Sequence, residues 1–146
     1  MKYEGQFEND KFHGQGLLTL QNGTSYNGAW VDGMYQGVGL LKLADGTVYE
    51  GGFLQDKAEG KGVMKYKNGC TYEGEWHLDQ REGAGVFTDQ IGNMYKGAFA
   101  RNKKHGKGEL MFKGLGQMTA RFNQGVLEEV TNFAFERNSA WADPDF

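Results

Sequence analysis

Apolar and polar residues alternate along most of this chain in short runs broken by glycine. In Tyr72-Glu73-Gly74-Glu75-Trp76 the tyrosine, glycine and tryptophan fall on one side and the two glutamates on the other. A period of two is the mark of a β-strand with one buried face. A second kind of run alternates as well, with Leu18/Leu20, Leu41/Leu43, Met64/Tyr66 and Leu110/Phe112 set around Thr19, Lys42, Lys65 and Met111. Asn22-Gly23, Asp45-Gly46 and Asn68-Gly69 close such runs, and these pairs accept the positive φ of a type I′ hairpin turn. The expected unit is a short strand, a polar loop, a second strand and a tight turn.

The unit recurs every 23 residues. Tyr3, Tyr26, Tyr49, Tyr72 and Tyr95 are each followed two residues later by glycine, and then by Phe7, Trp30, Phe53, Trp76 and Phe99. Gly-x-Gly pairs follow in register from Gly14/Gly16 to Gly106/Gly108, with turn glycines at Gly23, Gly46, Gly69 and Gly92. Five tandem repeats predict a quasi-one-dimensional array of hairpins. Glycine weakens a strand, so two roles stand open for the strand glycines: space for rings from adjacent strands, or bulges. Repeat four has Asp89-Gln90-Ile91 ahead of Gly92, which predicts a distorted turn or a local bend.

Extending the register places Met118, Ala120 and Phe122 in the next tyrosine, glycine and aromatic slots, and Phe133 and Phe135 in the apolar slots of a second strand. A degenerate sixth hairpin over 118–137 is expected. Residues 1–137 then form one all-β domain, and 138–146 a tail whose Trp141 and Phe146 cap the open end, as a lid or a helix. The first strand begins after two residues, which leaves an exposed edge. It is joined to a longer array, paired with another chain in an edge-mediated homodimer, or tolerated.

Composition narrows the classes. The 24 glycines accompany one proline and 14% aromatic residues, so linker, collagen and disorder are excluded. A net charge of −3 disfavours nucleic acid as a partner. The start has no apolar run, no window reaches membrane-span length, and Cys70 is alone. These features predict an intracellular, cytoplasmic protein of a reducing compartment.

Tyr-Glu-Gly-x-Trp/Phe, then Gly-x-Gly, then Asn/Asp-Gly, repeated at this period, closely resembles the MORN (membrane occupation and recognition nexus) repeat. Tyr3-Glu4-Gly5-Gln6-Phe7, Tyr72-Glu73-Gly74-Glu75-Trp76 and His105-Gly106-Lys107-Gly108 carry the likeness, which runs from Tyr3 to about Gly116. The resemblance implies an elongated, twisted antiparallel sheet of tandem hairpins, a single solenoid-like rod with a groove. It also implies a module of cytoskeletal, ciliary or flagellar scaffolds, of junctional membrane proteins, or of larger enzymes.

Chemistry is sparse. Ser25 and Ser139 are the only serines, and no triad can be assembled. Gly-x-Gly here belongs to a hairpin and does not open a helix, which excludes a nucleotide fingerprint. His13 and His105 share a slot four repeats apart, roughly 38 Å at two ~4.8 Å strand spacings per repeat, so they cannot share a metal. The expectation is no enzyme, no metal and no cofactor. What remains is surface. Tyr26, Trp30, Tyr49, Phe53, Tyr72, Trp76, Tyr95 and Phe99 form a ladder that is either core or the lining of a groove for a helical or extended partner segment. Repeat four carries −4 and repeat five +5. Arg101, Lys103, Lys104 and Lys107 are therefore a candidate anion or lipid patch, paired with repeat four or meeting an anionic membrane weakly.

Overall fold

In the computed structural model, which describes residues 1–136, every element is a strand. The expected tail cap at Trp141 and Phe146, and Arg137, lie outside the described residues. Six hairpins follow one another: β1 (Lys2–Glu8) with β2 (Lys11–Thr19), β3 (Ser25–Val31) with β4 (Met34–Lys42), and β5 (Val48–Leu54) with β6 (Lys57–Lys65). They continue with β7 (Thr71–His77) and β8 (Gln80–Thr88), β9 (Met94–Ala100) and β10 (Lys103–Phe112), and β11 (Gly116–Asn123) and β12 (Val126–Phe135). All twelve pair antiparallel in sequence order in one open sheet. At ~4.8 Å per strand the sheet extends about 55 Å.

One row of pairings organises it. Gly5, Gly16, Gly28, Gly39, Gly51, Gly62, Gly74, Gly85, Gly97 and Gly108 are register partners in unbroken succession across ten strands, and Ala120 ends the row. A Cβ at any of these glycines would run into a tyrosine ring or the neighbouring glycine backbone. The tyrosine hydroxyl passes over the row and donates to the carbonyl three residues on, from Tyr26 to Ala29 O at 2.9 Å and from Tyr95 to Ala98 O at 2.8 Å. The other Gly-x-Gly position has positive φ, +78° at Gly60 and +70° at Gly106, where the pairing slips at a bulge. Both expected roles for strand glycine are therefore filled, by different glycines of the same pair.

The turns are distributed otherwise than the dipeptides predict. Type I′ geometry falls inside each repeat, where both central residues have positive φ: Asn9-Asp10, Asp32-Gly33, Gln55-Asp56, Leu78-Asp79, Arg101-Asn102 and Gln124-Gly125. The Asn-Gly and Asp-Gly turns between repeats instead have positive φ at glycine alone. There Gly23 N–H donates to Leu20 O at 3.1 Å, and Leu20 N–H to Thr24 O at 2.8 Å, a type I turn closed by a glycine bulge. The turn of repeat four keeps this form, with Gly92 N–H on Asp89 O and Asp89 N–H on Asn93 O. Neither distortion nor a bend arises, because the Asp89 carboxylate itself accepts the Ile91, Gly92 and Asn93 amides.

From the third hairpin on, the non-glycine residues of the type I′ turns are held from outside. Asp79 N–H donates to Ala58 O at 3.1 Å, and the Asp79 carboxylate accepts Ala58 N–H at 2.7 Å. Asp56 does the same for Tyr35, and Asn102 for Arg81. Each hairpin tip after the first is thus fastened 21 residues back, to the preceding repeat.

The sixth hairpin forms where the register places it, but its second strand is exposed throughout. Phe133 and Phe135 pack edge to face at 4.8 Å without entering the core, which corrects their expected place. The reason is positional: among the described residues β12 is the last strand of the sheet, with no further hairpin beside it. Pairing of β11 with β12 slips between Arg121 and Phe122 and again between Gln117 and Thr119, near Asn132 with φ +52°, in place of the single shift of the glycine repeats.

Candidate functional site

The two faces of the sheet differ completely. On one face the rings of Tyr3, Tyr26, Tyr49, Tyr72 and Tyr95 alternate edge-to-face with Trp30, Phe53, Trp76, Phe99 and Phe122, at centroid distances of 5.0–5.5 Å. Trp30 Nε1–H donates to Gly16 O at 3.0 Å, and Trp76 Nε1–H to Gly62 O at 3.2 Å. Tyr26 and Tyr72 are 0% exposed, and Trp30, Tyr49, Phe53, Trp76, Tyr95 and Phe99 are all buried. Burial pushes the phenols of Tyr26, Tyr49 and Tyr72 up to about 12. The ladder is therefore the core, and the eight aromatics proposed as a groove lining have no surface to offer a partner. Their enclosure comes from the glycine row beneath them and from neighbouring rings above.

A further slot, nine residues after each tyrosine, covers those rings. Phe12 stacks on Tyr3 and Tyr35 on Tyr26, each at 3.8 Å. The slot then holds Ala58, Arg81 and Lys104. The Arg81 guanidinium lies over Phe99 at 5.4 Å and Tyr72 at 5.7 Å, and Lys104 Nζ over Tyr95 at 5.2 Å and Phe122 at 5.5 Å. The 23-residue period applied to Phe12 and Tyr35 carries the signal for this slot.

The anion patch expected from Arg101, Lys103, Lys104 and Lys107 is not a single surface. Lys104 turns into the aromatic face, where burial and then the nearby Arg81 charge hold its ammonium below the ordinary lysine value. Lys107 projects on the opposite face, across the glycine row from Glu109. Arg101 sits in the turn, its backbone N–H on the Glu82 carboxylate at 2.9 Å, and both it and Lys103 are exposed. The bulge at Gly106 separates the lysines by face. The histidines stay local: His13 meets Glu8 at 3.0 Å, His77 meets Glu59 at 3.0 Å, and His105 Nδ1 accepts Gln124 N–H at 3.2 Å.

The second face carries the groove. Between two ridges of side chains the glycine row forms a floor. Val63 and Glu73 stand on one side of the Gly62–Gly74 pair, and Lys61 and Glu75 on the other, around a depression of about 470 Å³. The next depression, about 530 Å³, lies over Gly85, Gly97 and Gly108 between Val86, Lys96 and Glu109 on one side and Ala84 and Lys107 on the other. Val63 and Val86 sit two strands apart, roughly 10 Å. Glu73 and Glu75 make the repeat-three-to-four stretch acidic, and Lys96 and Lys107 make the next stretch basic. Sequence alternation alone places these residues opposite the tyrosines; what it lacks is the continuity of the glycine floor.

An all-β meander of registered hairpins with a glycine-floored groove defines the class: a β-repeat protein. Residues 3–25, 26–48, 49–71, 72–94 and 95–117 each match the MORN repeat, and the chain belongs to the MORN repeat family. No curated protein matches it. MORN repeats are generally associated with protein or membrane binding.

Proposed function

We propose that this chain is a non-catalytic protein-interaction module that receives a helical or extended partner segment in the groove over the glycine row. One observation carries the reading: on the face that the core does not use, two depressions of about 470 and 530 Å³ follow one another along the glycine row, flanked by apolar and charged side chains. The floor is backbone, so a partner can approach closely, and the Val63–Val86 ridge supplies apolar contact. The acidic and basic stretches fix the direction in which a segment lies. The cytoskeletal, ciliary or flagellar setting implied by the sequence resemblance agrees with such a module.

The test is capture of partners by the wild type and by ridge variants. Val63→Arg and Val86→Arg are expected to abolish a captured partner while leaving denaturation midpoints unchanged. Ile91→Arg, at an exposed turn, is expected to retain it. Partners retained by both ridge variants and cross-linked elsewhere would overturn the reading.

A further inference from the structure

The aromatic face carries a second site, set by where its covering slot changes character. At Phe12 and Tyr35 the slot closes each tyrosine with a stacked ring, whereas at Arg81 it closes Tyr72 with a cation. Beside Arg81 lies a depression of about 270 Å³ bounded by Tyr66, Asn68, Cys70 and Phe87. Among the described residues, no carboxylate oxygen lies within 4.0 Å of Arg81 or Lys104. Arg81 bonds Asn102 O through one terminal nitrogen at 2.7 Å, but its Nε is buried without a hydrogen-bond partner. A half-buried guanidinium with an orphaned N–H and no counter-charge is a costly arrangement.

We propose that this depression is a binding pocket for a carboxylate carried on an aromatic or aliphatic stem, with Arg81 as its charge partner. The Asn68 amide has a donor to contribute. Its oxygen accepts Cys70 N–H at 3.0 Å, which leaves its NH₂ as a donor at the rim. Tyr66 and Phe87 supply walls for a flat or aliphatic stem. The donor set favours a monoanion: one guanidinium and one amide, without a cluster of backbone N–H groups, do not replace the hydration of a phosphate dianion. The positive charge of Lys104, two strands along in the same slot, adds to the field without bonding the ligand.

Benzoate is the probe, followed on the full chain by NMR at the Arg81 Nε–H, the Asn68 side-chain amide and the Cys70 backbone amide. Saturable shifts at all three are expected, with benzamide, the neutral isostere, and inorganic phosphate each binding about tenfold more weakly or worse. Arg81→Tyr, which restores the residue type of the Tyr35 slot, is expected to weaken benzoate about tenfold at the Cys70 amide. No saturation, equal binding of benzamide, or retained binding in Arg81→Tyr overturns the pocket. Phosphate binding as tightly as benzoate overturns the assignment to a carboxylate on an apolar stem. The benzoate–benzamide comparison needs only the wild type, so it decides the matter even if the variant fails to fold.

Discussion

The ring of Tyr49 fills the space that a side chain on Gly62 would need: a Cβ built there lies 2.5 Å from both Cε2 and Cζ of the tyrosine. Gly62 has no positive φ, so its requirement is purely steric. Gly60, two residues earlier, is the converse case, with φ +78° and no atom within 4 Å of a built Cβ. Gly62→Ala is expected to lower unfolding free energy by about 3 kcal/mol through displacement of a core ring. Gly60→Ala is expected to cost about 1–2 kcal/mol, from the left-handed backbone alone. Urea denaturation of the two variants checks the order; equal losses would mean that ring and glycine are not in contact.

The buried phenols predict an alkaline transition. Tyr49 is pushed up to about 12, first by burial and then by the negative charges of Asp79 and Glu59. Tyr26 and Tyr72 are raised to about 12 as well. A folded-state value above the unfolded value of 10.0 means that the native chain holds more protons. The associated stability is intact below pH 10 and declines as pH climbs toward 12. Tyrosinate absorbance is expected to show these three ionising together with unfolding; independent titration in a folded chain would refute their enclosure.

Asp79 serves its own turn and the preceding repeat together. Asp79→Asn keeps an oxygen for Ala58 N–H, as Asn102 does for Arg81, and is expected to be nearly neutral. Asp79→Ala loses the acceptor while keeping a side chain at φ +67°, at a cost of about 1–2 kcal/mol. Asp79→Gly loses the acceptor but relieves the backbone, so it should fall between them. Thermal or urea midpoints give the ranking directly.

Acid acts on the repeat-four turn. Burial opposes the charge on Asp89, but the Asn93, Ile91 and Gly92 amides outweigh it and hold the carboxyl below its ordinary 3.8. Its contribution is full above 3.8 and is lost as pH falls below it, through the lowered value of the folded chain. Asp89→Asn is therefore expected to flatten the acid limb of the stability profile. An unchanged limb would show that the turn does not depend on the charge.

Much of the fold is legible in the sequence because one 23-residue unit repeats both its strand period and its turn glycines. The sixth hairpin is legible for the same reason, even with Met118 and Ala120 in the tyrosine and glycine slots. The type I′ turns are not, because Leu78-Asp79 and Arg101-Asn102 hold positive φ through bonds to residues 21 positions earlier, which local propensity does not contain. The site is legible only in part. The regular aromatics read equally as core or as groove, and their burial depends on rings lying flat over glycines of the adjacent strand. The groove belongs to the other face, where Val63, Val86, Lys61 and Lys107 look like ordinary alternating surface residues.

Fastening each tip to the residue 21 places before it makes the repeats interchangeable in length without being interchangeable in content. Removing residues 49–71 would bring Asp79 beneath Tyr35, where Asp56 now bonds, and would leave every junction of the same kind. A chain built this way can be shortened or extended by whole units as a ruler is, with the distance between two features on it set by the number of repeats that separate them.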